Sequence, residues 1–394
     1  MVRSAPKTAL QEECLVTMNS LDSARQMPGY FYTDPGILIR EKELIFKKTW
    51  LCIGREEQVT NNGDYMAIEV VDESIVVVRD KFGKINCFIN MCMHRGVPVV
   101  YGKGNAKGFS CPYHAWHYDL NGTLSATPYM EKSKIEIKGS KLKQLRVAIW
   151  EGWIFTSFNS DVESFDSFIG PIAKDLMWFK SGECKLAEKV ILKIDCNWKL
   201  LLENLIDIYH VPVLHKSSFG GFLKTDRNTI NFNLLDKGCW HYEQEARPHA
   251  KGGRQLFPTL PWLEGLSPST SMKAGIFPNI NLSLRFDSLR LWQVLPITEC
   301  KSELHMYSLF TPAAFKQPDF QKNYEEYKEF LLSAIVEEDG PMVVKLQQAM
   351  NSKFYKPGPF SHMEGAVHHI IRYYLKNMLN LAESENINAL GDFS

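Results

Sequence analysis

The sequence predicts an α+β fold in two parts, an all-β module near the start and a mixed body in which strands precede helices. Three observations carry this expectation. Between residues 47 and 158, short runs rich in β-branched and aromatic residues alternate with X-Gly turn pairs. Beyond residue 159, strand-like runs recur in the middle and helical spacing dominates from about Pro318 onward, as in α+β bodies. A chain of 394 residues has room for two domains of ordinary size. We place them at 47–158 and at 1–46 together with 159–394.

The elements follow in order. After a polar start, Pro35 to Trp50 (PGILIREKELIFKKTW) sets apolar residues at helical spacing behind a Pro-Gly opening, which predicts an amphipathic helix. Tyr65 to Val71, Ser74 to Arg79 and Ile85 to Ile89 are expected strands, punctuated by turns at Asn62-Gly63, Phe82-Gly83, Asn121-Gly122 and Glu151-Gly152. In the body, Trp198 to His210 is expected to be helical, and Ile280 to Phe286, Arg290 to Pro296 and Leu304 to Phe310 to be strands. Gly220-Gly221 and Gly252-Gly253 read as surface connections.

Composition narrows the function. The 45 basic and 45 acidic residues cancel, so no global field favours nucleic acid or an anionic membrane. The first twenty residues lack the apolar core of a secretory signal, and no later stretch is apolar for the length of a membrane span. Nine scattered cysteines, an odd set without a dense framework, fit a reducing cytoplasm.

Two of those cysteines have company. Asn90 to Gly122 contains Cys92-x-His94 and then Cys111-x-x-His114. Two such pairs can close around one tetrahedral zinc, or around two bridged irons with both thiolates on one and both imidazoles on the other. Zinc fingers group like ligands, with the second pair on a helix. Here each loop offers one of each kind amid glycine, proline and strand-like residues, which favours two irons, each hairpin loop presenting a thiolate to one and an imidazole to the other.

Residues 197–215 (NWKLLLENLIDIYHVPVLH) form a second constellation. Asp207 and His210 are three apart and share a helical face. His215 lies five further on, about 140° around a straight helix at roughly 100° per residue, so both histidines reach one metal only if the helix deforms. Pro212 has no N–H for the carbonyl of Ile208 and is expected to break the helix between them. Two core histidines beside a proline kink would read the same way.

Together the two constellations resemble the catalytic subunits of Rieske non-haem iron oxygenases, the group of ring-hydroxylating dioxygenases and of glycine betaine and carnitine monooxygenases. Arg95-Gly96, Pro112-Tyr113 and Trp116 around the first, and Glu203-Asn204-x-x-Asp207-x-x-His210-x4-His215 in the second, carry the resemblance. It implies an all-β Rieske domain plus a helix-grip catalytic domain, with one [2Fe-2S] cluster on Cys92, His94, Cys111 and His114. It further implies one mononuclear Fe(II) on His210, His215 and a later carboxylate: Asp339 in Val336-Glu337-Glu338-Asp339-Gly340-Pro341, or else Glu338. Asn204 and Asp207 become catalytic candidates, with Asp207 bridging His210 to the cluster ligand His114 of a neighbouring subunit.

The resemblance also implies oxygen insertion into a small aromatic or cyclic compound, or else into a quaternary ammonium compound. The partners it implies are O2, a separate reductase drawing on NAD(P)H, with or without a ferredoxin, and a homotrimer, or an α3β3 assembly with a small β subunit. A Rieske electron carrier or ligand-binding protein without oxygen chemistry is the reading of another class. Phe219, Phe222, Trp240, Phe257, Trp262, Phe277 and Trp292 are candidate pocket residues, whereas Arg285 and Arg290, on a strand-like segment, are expected to face solvent.

Overall fold

A computed structural model describes residues 9–133, 135, 137, 139–218, 223–224 and 230–379. The chain divides into two compact units, Phe46–Phe168 and the combination of Met1–Ile45 with Ile169–Ser394. Gly220-Gly221, Phe219 and Phe222 lie outside the described residues.

The Phe46–Phe168 unit is built on a seven-stranded antiparallel sheet. Its spatial order is Leu51–Arg55, Trp153–Ser157, Gln144–Trp150, Ile85–Ile89, Glu73–Arg79, Asp64–Val70 and Lys103–Asn105. Ile75 to Val78, four consecutive β-branched residues, are wholly buried on both faces of the sheet. Their stiff side chains fit a pleated surface, and each such burial contributes about 1.5–3 kcal/mol. A smaller sheet of Gly108–Ser110, His117–Asp119 and Leu124–Ala126 completes the unit. The core beneath the loops that carry Cys92 and Cys111 gathers Val76, Phe88, Phe109, Trp116 and Tyr118 with those two cysteines.

The other unit carries an eight-stranded antiparallel sheet in the order Lys185–Ile194, Lys301–Phe310, Ser288–Thr298, Ile280–Arg285, Thr270–Ile276, Trp240–Ala246 and Leu223–Lys224, with Asn233–Leu234 also on Trp240–Ala246. The helix Trp198–Ile206 packs on its central strands, and the helices Gly340–Met350 and Gly365–Leu379 pack on that helix. Asn197 caps the first of these through the Lys199 N–H, and Trp198, Leu201, Leu202 and Leu205 are buried. Glu41, fully buried, accepts hydrogen bonds from Lys199 (2.5 Å), Trp198 (2.7 Å) and Tyr374 (2.6 Å), which fastens the N-terminal segment to this helix pair.

One face of this sheet is polar. Register places Tyr242, Lys273, Ser283, Arg290 and Ser308 in a single cross-strand row, with Gln244, Ser271 and Arg285 in the next row on the same face. Ala274, Leu282 and Leu291 form an apolar row on the opposite face. Arg285 and Arg290 therefore do not face solvent, as the sequence suggested; they are 5% and 3% exposed, because the polar face is itself covered.

The tail forms one helical run from Phe320 to Met350, with the segment Ala334–Asp339 widened to π-helical geometry. Pro341 cannot donate a helical hydrogen bond, and the wide turn just before it accommodates the missing donor. The acids Glu337, Glu338 and Asp339 thus lie inside a continuous helix rather than at a helix start. Among the described residues no helix is long and apolar enough to cross a membrane.

Candidate metal centres

Cys92 and Cys111 sit in two turns of the same construction. The Cys92 N–H donates to Val97 O and the Gly96 N–H to Cys92 O; correspondingly the Cys111 N–H donates to Trp116 O and the Ala115 N–H to Cys111 O, each at 2.8–3.0 Å. Gly96 (φ 77°) and Ala115 (φ 58°) occupy matching left-handed positions. The second turn closes a hairpin between Gly108–Ser110 and His117–Asp119, but the first joins strands that do not pair with each other, so only one of the two loops is a hairpin.

The turns bring the four donors together with distinct surroundings. Both cysteines are 2% exposed, whereas His94 is half-buried and His114 is exposed. The two imidazole Nδ1 atoms face each other at 3.1 Å. His94 stacks on Trp116 with centroids 4.9 Å apart, and Tyr118 Oη accepts the Met93 N–H at 3.0 Å and lies 3.4 Å from Cys92 Sγ. Burial pushes the Cys111 thiol up, so a thiolate there needs an adjacent cation. Buried thiolates on one side and convergent imidazoles at the surface fit a cluster whose two irons take unlike ligands.

The second centre forms where the helix Trp198–Ile206 ends. The chain leaves helical geometry at Asp207, ahead of both histidines, and restarts as the short helix Val211–Leu214 with Pro212 in its first turn. Pro212 therefore starts the second helix instead of kinking the first, which suits a residue with no N–H to satisfy. His210 Nε2 and His215 Nε2 lie 3.2 Å apart, and Asp339 Oδ1 is 3.5 Å from the first and 3.1 Å from the second. Ligand atoms of these three residues all lie within 4.8 Å of one another, a set suited to a facial triad.

Neighbours orient each member. Asp207 Oδ2 meets His210 Nδ1 at 2.9 Å, while its Oδ1 accepts the Tyr209 N–H at 2.6 Å. Glu338 lies on the far side of His215, 2.6 Å from Nδ1, and accepts hydrogen bonds from Ser217 and Ser218. The geometry thus gives Asp339 and Glu338 different tasks. Asn204 Nδ2 donates to Asp339 Oδ1 at 3.1 Å. Burial works against charge on His215, but the hydrogen bonds and charges of Asp339 and Glu338 outweigh it and hold the imidazole above its ordinary value. Glu338 is held below its ordinary value because those hydrogen bonds outweigh its burial.

Two spaces adjoin this centre. A groove of about 790 Å³ exposes Asp207 and His210 beside Tyr209, Val213 and Leu346. A second cavity reaches from His215 and Asp339 to the polar sheet face, where Lys273, Arg285, Arg290 and Trp292 line it. Of the described candidate pocket aromatics only Trp292 lines either space; Trp240, Phe257 and Phe277 are core. Lys273 escaped the sequence reading, and its only sign there was a charge inside an otherwise apolar run, SMKAGI.

Comparisons agree with this architecture. The Rieske [2Fe-2S] domain pattern matches residues 49–149, and the ring hydroxylating alpha subunit (catalytic domain) pattern matches residues 181–380. The glycine betaine monooxygenase oxygenase subunit of Chromohalobacter salexigens is 25% identical over 414 aligned residues, covering 96% of this chain and 92% of its own. The large oxygenase component of salicylate 5-hydroxylase from a Ralstonia species is 34% identical over 217 residues, 50% of this chain and 51% of its own. Two solved structures share the fold. One is a quaternary ammonium Rieske monooxygenase described for carnitine oxidation by gut microbiota and inter-subunit electron transfer (TM-score 0.77, 21% identity, 92% and 96% coverage). The other is naphthalene 1,2-dioxygenase from a Rhodococcus species (TM-score 0.72, 20% identity, 90% and 95% coverage). With one pattern covering the cluster turns and the other about half of the chain, this protein belongs to the ring hydroxylating alpha subunits, the Rieske non-haem iron oxygenases whose cofactors are a [2Fe-2S] cluster and a mononuclear iron.

Proposed function

We propose that Cys92 and Cys111 hold one iron of the cluster and His94 and His114 the other, and that His210, His215 and Asp339 hold the mononuclear iron. The observation that carries this is the convergence of those last three residues from two distant parts of the chain. When bound, the two groups supply electrons one at a time and a place where dioxygen is activated. Asn204 steadies Asp339, Glu338 fixes the His215 ring, and Asp207 fixes the His210 ring.

Asp207 opens onto the groove, whose rim exposes Val213 (77%) and Tyr209 (57%). That apolar rim suits the docking of a second subunit's cluster unit, so the chain works as an oligomer, a homotrimer in its simplest form. Asp207 then passes from His210 to the partner's imidazole edge and couples proton position to electron delivery. Electrons come from NAD(P)H through a separate reductase, with or without a ferredoxin. The product is a hydroxylated, cis-dihydroxylated or demethylated small molecule.

Iron and sulfide analysis of three proteins tests the assignment. Wild type is expected to carry three irons and two sulfides per chain. His210→Ala is expected to lose one iron, keep both sulfides and the cluster's visible spectrum, and lose all oxygen uptake coupled to product. Asp207→Asn is expected to keep all three irons and still fall at least 100-fold in turnover. A His210→Ala protein with unchanged iron would overturn the ligand assignment, and a wild type with only the two cluster irons and no oxygen uptake coupled to product would return the chain to the class of electron carriers.

A further inference from the structure

The cavity beside the mononuclear centre holds three cationic side chains on neighbouring strands of one sheet face. Lys273 and Arg290 flank Ser283 in the same cross-strand row, and Arg285 lies two residues along from Ser283. Their polar partners are neutral. Lys273 Nζ donates to Leu205 O at 3.4 Å, Arg290 Nη2 donates to Ser283 Oγ at 3.0 Å, and Arg285 Nη1 donates to Ser271 Oγ. The Nε–H groups of Arg285 and Arg290 are buried without an acceptor among the described residues. Nor does any described carboxylate lie within 4.0 Å of the three cationic heads.

Burying one unpaired charge costs several kcal/mol, and gathering three adds their mutual repulsion. Burial and the neighbouring Arg285 and Arg290 pull Lys273 down to about 7, and burial with Arg290 pulls Arg285 down to about 9. Asp339 and Asp207 act on Lys273, and Asp287 on both arginines, only from beyond ion-pair distance and do not offset the burial, and Asp339 also faces both histidine Nε2 atoms. The aromatic face nearest the cations is taken as well: the Arg290 guanidinium lies over the Trp292 ring at 4.7 Å. No cage for a lone ammonium group exists there among the described residues, because a cation entering this space meets other cations.

We propose that the substrate is an organic anion whose carboxylate docks on Arg285, Arg290 and Lys273, leaving the carbon to be oxidised beside His210, His215 and Asp339. This rests on the oxygenase reading for the second half only; the anion site stands on the sheet face alone. A zwitterion can enter through its carboxylate, whereas a quaternary ammonium alcohol cannot.

Calorimetric titration of the whole protein, iron-loaded and iron-free, with benzoate and acetate against benzamide, acetamide and choline tests the proposal. At least one carboxylate is expected to bind at least about tenfold more tightly than its own amide and than choline, about 1.4 kcal/mol, and to weaken as salt rises. Arg285→Gln and Arg290→Gln are each expected to erase that preference, and Arg285→Lys and Arg290→Lys to restore part of it, with circular dichroism unchanged. If a glutamine variant fails to fold, Lys273→Gln and the wild-type preference in iron-free protein decide. No preference of either carboxylate over its amide, or an undiminished preference in the folded glutamine variants, overturns the proposal. Anion binding by a wild-type protein that takes up no third iron would overturn the oxygenase assignment and leave the anion site standing.

Discussion

Glu203 shows how a single half-buried acid leaves a signature in bulk stability. Burial lifts its carboxyl to about 8, against the lowering effect of the Tyr32 hydrogen bond (3.0 Å) and of the Lys199 charge. The folded protein therefore keeps a proton that the unfolded chain releases near 4.5, so this contribution is complete below 4.5 and is lost as pH rises through 8. Unfolding free energies of wild type from urea titrations between pH 5 and 8 are expected to fall by up to about 1.4 kcal/mol per pH unit more than those of Glu203→Gln. Parallel pH profiles would refute the assignment. Individual residues were unequally legible in the sequence. Cys92, His94, Cys111 and His114 announce themselves because their spacing is local, and His210 because Asp207 is one turn away. Arg285 and Arg290 did not, since a charged strand residue reads as solvent-facing until the elements covering the sheet are known.

Among the elements, the paired turns at Cys92–Val97 and Cys111–Trp116 offer a sharp comparison. Both need a left-handed residue, filled by Gly96 in one and Ala115 in the other. An L side chain there costs roughly 1–2 kcal/mol, offset in part by the freedom that glycine adds to the unfolded chain. Ala115→Gly is thus expected to leave the cluster unit equally stable or up to about 1 kcal/mol more stable. Gly96→Ala is expected to lose about 1 kcal/mol, since a Cβ would meet only Met91 at 3.9 Å and the cost is conformational. Thermal bleaching of the cluster's visible absorbance reads both, and a more stable Gly96→Ala would contradict the turn geometry. Strands were recovered where side chains alternate cleanly, as at Ile280–Arg285, or where a short apolar run is bounded by turn residues, as at Ile85–Ile89. Trp240–Ala246 and Thr270–Ile276 were not expected, because Tyr242, Gln244, Ser271 and Lys273, which build the polar face, replace the apolar half of the pattern. The π-turn ahead of Pro341 was equally hidden, being a local response to helix packing.

For the whole molecule, the oligomer proposal has a direct test. Cys92→Ala chains are expected to lack the cluster and His210→Ala chains the mononuclear iron, and each alone is expected to be inactive. Co-expressed in one cell, they are expected to form mixed assemblies with between about one tenth and one half of wild-type turnover, because a sound cluster then faces a sound iron across some subunit boundaries. Absence of recovery in verified mixed oligomers would count against transfer between chains. The two-part plan itself was readable from texture, since β-branched runs with glycine turns end where helical spacing takes over. One connection in that plan reaches further. Leu51–Arg55 and Trp153–Ser157, the first and last strands of the cluster unit, run antiparallel as bonded neighbours, so the start of the one and the end of the other lie only about 5 Å apart. A cassette whose two ends emerge side by side can be spliced into a host chain, or lifted out again, with little demand on the host's own path.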